Sequence, residues 1–152
     1  MSRDYEDAMN SAAPLDVTFQ LDPGAVEPRK AHGDDAGYDL ATPCALCIES
    51  GTINVLDTHI RVLIPPGYCG LVLPRSSLSA RGIACLTGVI DAGYTGTLKI
   101  TFFNFGKETE FKKGERVAQL VILPLTSVNL IPGKVTDKET ARGEGGFGST
   151  GK

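Results

Sequence analysis

No run of apolar residues in this chain approaches the roughly 20 that a membrane-spanning helix needs, and the polar, acidic N-terminus holds no apolar signal region. Both absences argue against a membrane role. An excess of positive charge is missing too. The net charge is -3, whereas a general nucleic-acid binder is usually basic. Any anion bound here must therefore meet a local cluster of donors. Histidine is scarce: His32 and His59 stand alone. Of the cysteines, Cys44 and Cys47 form one C-x-x-C pair, while Cys69 and Cys85 are well separated. A structural zinc site wants a second pair of ligands nearby. Nothing resembles a secreted disulfide framework, so the thiols read as free and buried or incidental. The expected setting is intracellular, cytoplasmic or nuclear. Sustained helical periodicity is also lacking, and the one helix candidate is a short stretch from Ser76 to Arg81.

What the chain does have is alternation. Leu15, Val17, Phe19 and Leu21 fall on one face of an extended segment. Further strands are expected at Ile53–Leu56, Ile60–Ile64, Tyr68–Leu73, Ile83–Ile90, Thr97–Phe105, Arg116–Leu123 and Val128–Ile131. Glycine and proline turns separate them, among them Pro65-Pro66-Gly67, Ala92-Gly93 and Lys113-Gly114. Many short strands at close spacing predict an all-β sandwich or barrel. The 152 residues suit one domain. Residues 1–14 read as a disordered leader, 15–134 as the β domain, and 135–152 as a charged, glycine-rich arm.

Five segments carry chemistry. Ala36-Gly37-Tyr38-Asp39-Leu40 offers a carboxylate. Pro74-Arg75-Ser76-Ser77-Leu78-Ser79-Ala80-Arg81-Gly82 follows a strand and opens the short helix, where hydroxyls and first-turn amides suit an anion. The alternative there is an N-cap flanked by solvated arginines. Gly88-Val89-Ile90-Asp91-Ala92-Gly93-Tyr94-Thr95-Gly96 sets a carboxylate and a phenol at a strand end. Asp91 reads either as a general base or as a turn residue. Arg116 and Gln119 interrupt an otherwise apolar strand and need partners. The arm, Arg142 to Gly151, combines a cation, hydroxyls, bare amides and one aromatic, Phe147. Gly146 to Lys152 also fits the start of a P-loop, but no apolar strand precedes it, so that reading fails.

In order and spacing these five segments resemble the trimeric all-β dUTPase family, from Leu15 to Gly151. The resemblance implies a jelly-roll-type β barrel and a homotrimer whose three sites each take segments from all three subunits. It implies a dUTP pyrophosphatase that yields dUMP and pyrophosphate with Mg²⁺, and no nucleic-acid or membrane partner. Asp39 would hold Mg²⁺ through water. Arg75, Ser76, Ser77 and Gln119 would contact phosphates, and Lys99 is a further substrate contact. Asp91 would activate the attacking water. Tyr94 would pack on the deoxyribose and leave no room for a 2′-hydroxyl. A hairpin from Ile83 to Ile90, with Gly88, Val89 and Ile90, would read uracil through its backbone. Phe147 would stack over the base, and Arg142, Gly148, Ser149 and Thr150 would close on the γ-phosphate. In some members an Asn side chain helps to hold uracil. Cys85 stands at that place here and cannot offer a paired donor and acceptor.

Two other readings compete. A dCTP deaminase resembles the same fold, but needs a proton shuttle where this chain has Thr101. A non-catalytic nucleotide-binding barrel would keep the scaffold without the base.

Overall fold

The computed structural model describes residues 14–135. The expected leader and arm therefore lie outside the described residues, apart from their inner ends. Ten strands and one short helix follow in order: β1 (Thr18–Leu21), β2 (Tyr38–Ala41), β3 (Leu46–Ile48), β4 (Ile53–Leu63), β5 (Tyr68–Pro74), α1 (Ser76–Ser79), β6 (Ile83–Cys85), β7 (Val89–Ile90), β8 (Thr97–Asn104), β9 (Thr109–Phe111) and β10 (Arg116–Pro124). The protein is all-β, as its alternation predicts.

Two four-stranded sheets, β1-β4-β8-β6 and β2-β10-β5-β7, share one core, with the two-stranded β3-β9 at its side. Period-two patterning makes this possible, because every second side chain of a strand points inward. Leu56, Thr58, Ile60 and Val62 of β4 are buried, as are Leu98, Ile100, Phe102 and Asn104 of β8. They meet Leu40, Val72, Val117 and Leu120 from the other sheet. Phe102 is fully buried, and truncating such a ring to alanine costs about 3–5 kcal/mol. Buried Asn104 is satisfied. Its amide donates to the Ile48 and Lys107 carbonyls at 2.8 Å each, and its oxygen accepts from the Gly106 N–H at 2.9 Å.

Four expectations change. The strands expected at Ile53–Leu56 and Ile60–Ile64 are one strand, β4, with its register broken between Asp57 and Arg61. His59 sits there at φ 60°, and its N–H bonds the Asp57 carboxylate at 2.9 Å. Residues 83–90 form neither one strand nor a hairpin. β6 pairs with β8, whereas β7 pairs with β5 in the opposite sheet. Thr87 makes the switch: its hydroxyl accepts the Thr101 N–H at 2.7 Å and donates to the Lys99 carbonyl, taking the place of ladder bonds. The chain thereby joins the two sheets without closing a continuous barrel among the described residues. Val128–Ile131 is not a strand. Leu130 is 95% exposed and Ile131 83%, so this segment has no ladder to complete and no surface to cover. The short strands β2, β3 and β9 were not expected.

Candidate active site

The ends of β5 hold two different clusters. At its C-terminal end, Arg75 follows Pro74 as the residue before α1, with extended backbone and no side-chain cap on the helix. The Ser76 and Ser77 side chains are therefore not used as caps and stay exposed. β10 lies between β2 and β5, and its Gln119 stands opposite both Asp39 and Leu73. This register brings Asp39, Arg75, Arg116 and Gln119 together. The Arg75 Nε donates to Asp39 Oδ1 at 2.9 Å, and Arg116 Nη1 to Oδ2 at 3.0 Å. Arg116 thus finds its partner within the chain. The Gln119 amide donates to the Pro74 carbonyl at 3.2 Å. A Cβ on Gly37 would lie 2.8 Å from the Gln119 side-chain oxygen, so the glycine two residues before Asp39 makes room for Gln119.

Two arginines on one carboxylate leave the cluster net positive, the charge that an oligophosphate requires. A cavity of about 400 Å³ opens beside it, lined by Arg75, Ser77, Arg81, Phe111 and Arg116 and by one carboxylate, Glu115. The Arg81 guanidinium lies 5.3 Å from the Phe111 ring centre. Another cavity, of about 420 Å³ beneath β1, is walled mainly by apolar side chains such as Leu15, Phe19, Tyr38 and Ile122, and does not suit a triphosphate. Among the described residues no three His, Cys, Asp or Glu side chains could grip a metal ion. Asp39 alone, already bonded by arginines, fits an outer-shell role toward a hydrated divalent ion held by phosphates. The C-x-x-C thiols are exposed. Cys47 is held above its ordinary pKa, first by partial desolvation against neighbouring protein atoms and then by the charges of Glu108, Glu110 and Glu49.

Toward the other end of β5 lie Ile90 and Asp91, with Tyr94 in the turn that follows. Val89 and Gly88 run back along the middle of the strand, where the Gly88 carbonyl accepts the Val72 N–H. Lys99 lies on β8 of the other sheet, its carbonyl accepting the Thr87 hydroxyl. Ile90 pairs with Gly70 and Val89 with Leu71, so Asp91 stands beside the start of β5. Its turn is closed by the Tyr94 N–H on the Asp91 carbonyl at 3.2 Å and by Gly93 N–H on the Ile64 carbonyl. Asp91, Tyr94 and Lys99 are exposed. The Tyr94 hydroxyl donates to the Thr97 carbonyl at 3.1 Å. Cys85 turns its thiol toward the Val72 carbonyl, at 3.8 Å. Arg142, Phe147, Gly148, Ser149 and Thr150 lie outside the described residues.

The clusters are well separated. Continued by one residue past Ile90, the β5–β7 register sets Asp91 opposite Cys69, and Arg75 lies beyond the far end of the strand. At about 3.3 Å per residue, that is on the order of 20 Å.

The dUTPase family model matches residues 25–151. The chain belongs to the dUTPase family. Its relatives include the deoxyuridine 5′-triphosphate nucleotidohydrolases of Clostridium kluyveri, 44% identical over 84% of this chain and 91% of that protein, and of Candida albicans, 39% identical over 95% and 92%. Among solved structures, the Staphylococcus bacteriophage 80alpha dUTPase with dUPNHPP matches at a TM-score of 0.80. It is 31% identical and covers 91% of this chain and all of that one. A mutant dUTPase of S. aureus phage phi11, described as coordinating a structural Mg(II) ion, matches at 0.73 with 27% identity, over 80% and 98%. No helix among the described residues is long and apolar enough to cross a membrane.

Sequence reasoning missed Gly37's packing against Gln119 and the direct pairing of Asp39 with both arginines. The glycine was visible within its motif, but its neighbour across β10 depends on register, which spacing alone does not fix.

Proposed function

We propose that this dUTPase hydrolyses dUTP to dUMP and pyrophosphate at sites shared between the subunits of a homotrimer. The observation that carries the shared site is the separation of the two clusters along β5. Asp91 must act through one water on a phosphorus whose neighbouring phosphates are held by Arg75. Hydrogen-bond steps of about 3 Å each do not bridge some 20 Å within one chain. A second copy that sets its Asp91 end against this chain's Arg75 end removes the gap. Exposed apolar surface supports such an assembly. Ile53 and Val55 on the first sheet and Phe105 just beyond the end of β8 are more than half exposed, and the Phe103 and Phe105 rings pack 4.4 Å apart.

Arg75, Ser76, Ser77 and Gln119 bind the phosphates. Asp91 takes a proton from water as the oxygen attacks the α-phosphorus, and the bond to the bridging oxygen breaks to release pyrophosphate. Asp39 would hold a nucleotide-bound Mg²⁺ through its waters, and the ion would supply positive charge to offset that of the triphosphate. Gly88, Val89 and Ile90 read uracil, Tyr94 faces the sugar, and Lys99 contacts the nucleotide. Residues 15–134 form the catalytic domain. The arm, with Arg142, Phe147, Gly148, Ser149 and Thr150, closes over the substrate and excludes bulk water.

Pyrophosphate release from dUTP, UTP, dCTP and dTTP, with and without Mg²⁺, tests the assignment. Turnover of dUTP alone, dependent on Mg²⁺, is expected. Comparable turnover of UTP would remove Tyr94 from its role, and ammonia release from dCTP would replace the assignment.

A further inference from the structure

We propose that Arg61, seated on Asp22, is a positioning residue that holds the Tyr94 turn in place and so sets discrimination against ribonucleotides. Arg61 lies on β4, opposite Gln20 of β1 on one side and Thr97 of β8 on the other. Its guanidinium spans the two. Nε and Nη2 both reach Asp22 Oδ2, at 2.9 and 2.8 Å. Nη1 donates to the Thr95 carbonyl at 2.9 Å. The planar fork of arginine serves both partners at once, which a lysine cannot do. Each partner perturbs the other in the sense of a real ion pair. The bond from Arg61 holds the Asp22 carboxyl below its ordinary pKa, and the bond to Asp22 raises that of Arg61.

Thr95 is the residue after Tyr94, so this bond fixes the turn at the point where the phenol leaves it. A second tether acts two residues on. The Thr97 hydroxyl donates to Asp57 Oδ2 at 2.8 Å, and the Thr97 carbonyl accepts the Tyr94 hydroxyl. The Tyr94 ring crosses the bare Cα of Gly96, where a Cβ would come within 2.2 Å of the hydroxyl oxygen. A cavity of about 210 Å³ lies between β1–β4 and this turn, and Arg61, Tyr94 and Thr95 all line it. Without Arg61 the turn has room to sink into that space. A ring displaced in this way opens the place that a 2′-hydroxyl needs.

The consequence for selectivity rests on Tyr94 facing the sugar, but the tethering itself does not. The test therefore has two readouts on Arg61→Gln and Asp22→Asn in the full chain. Amide hydrogen exchange over residues 92–97 of the nucleotide-free protein reads the clamp alone. Exchange there should rise about fivefold in Arg61→Gln, and less in Asp22→Asn, while β10 is unchanged. The ratio of kcat/KM for dUTP to that for UTP should fall about fivefold, mainly because UTP improves. Arg61→Lys should restore the pairing with Asp22 but not the selectivity. Unchanged exchange in folded Arg61→Gln and Asp22→Asn proteins would overturn the clamp whatever the enzyme does. Faster exchange with an unchanged substrate ratio would overturn the link to selectivity and leave the dUTPase assignment standing.

Discussion

The two ends of β5 are built in opposite ways. At the Arg75 end, charged side chains hold one another: Asp39 carries an arginine on each carboxylate oxygen, and Gln119 leans into the gap left by Gly37. A ligand there meets a preassembled positive cluster and exchanges one anion for another. At the Asp91 end, the turn is held by backbone bonds and by side chains that touch it from behind, while Asp91 itself stays exposed. Binding groups are thus fixed in the sheet, and the proposed base is presented outward on a turn, where a second subunit can meet it. Under the proposed function, a complete site joins unlike ends of two chains.

The comparison can be broken most forcefully at the outward end. Asp91→Asn keeps the turn and removes the base. Turnover should fall by about 100-fold or more, with nucleotide binding by calorimetry and the melting temperature near wild type. Arg75→Ala strikes the other end. It should lower kcat/KM for dUTP by about 10- to 100-fold through KM as well as kcat, because a charge-assisted phosphate contact is lost. Equal effects of both variants on binding would erase the distinction drawn between the ends.

Gly37→Ala tests the seat of Gln119 more gently. The added Cβ meets the tip of the flexible Gln119 side chain at 2.8 Å, and more loosely the Val121 methyl at 3.1 Å and the Leu120 carbonyl at 3.2 Å, so shifts of a few tenths of an ångström should accommodate it and the melting temperature should fall by only a few degrees. The displaced Gln119 amide should still cost about tenfold in kcat/KM. A fully active Gly37→Ala protein would show that Gln119 has no positional role.

The smallest effect concerns Asp57, behind the Asp91 turn. Burial works against its ionisation, but the His59 N–H, the Thr97 hydroxyl, His59 and Lys99 outweigh it, and its pKa is lowered from 3.8. A carboxylate with a depressed folded pKa stabilises the protein above its unfolded pKa, and that contribution is lost as pH falls through the folded value. The wild-type advantage in melting temperature over Asp57→Asn should therefore be constant from pH 7 to about 5 and shrink below about pH 4. An advantage that instead shrank on raising the pH would contradict the assigned hydrogen bonds.

Much of this architecture was legible in the chain, and the exceptions have physical causes. β5, β8 and β10 announce themselves because each turns apolar residues into the core, whereas β1 alternates in sequence although all four of its residues are exposed. β2 does not alternate, since Leu40 and Ala41 are both buried, and β3 and β9 are only three residues each. The polar Asp57-Thr58-His59 looked like a break between strands. Thr58 is in fact buried, with its hydroxyl on the Leu98 carbonyl at 2.8 Å, so the strand continues through a bulge. Residues 83–90 looked continuous because both halves are apolar, but Thr87 diverts the chain to the other sheet. The order of the motif segments was visible. That Asp91 and Arg75 lie at opposite ends of one strand was not, because it follows from antiparallel pairing of β5 with β7 rather than from spacing.

The central claim is that one site joins the Asp91 end of one chain to the Arg75 end of another. Unfolding Asp91→Asn and Arg75→Ala proteins together in equal amounts, refolding them and assaying dUTP hydrolysis tests it directly. If each site draws its two ends from different chains at random, about one quarter of the sites in closed cyclic assemblies regain both intact groups. Activity should then approach one quarter of wild type, well above either variant refolded alone. If one chain supplied both ends, every site would lack one of them. A mixture no more active than its components, with mixed assemblies shown to be present, would contradict the shared site.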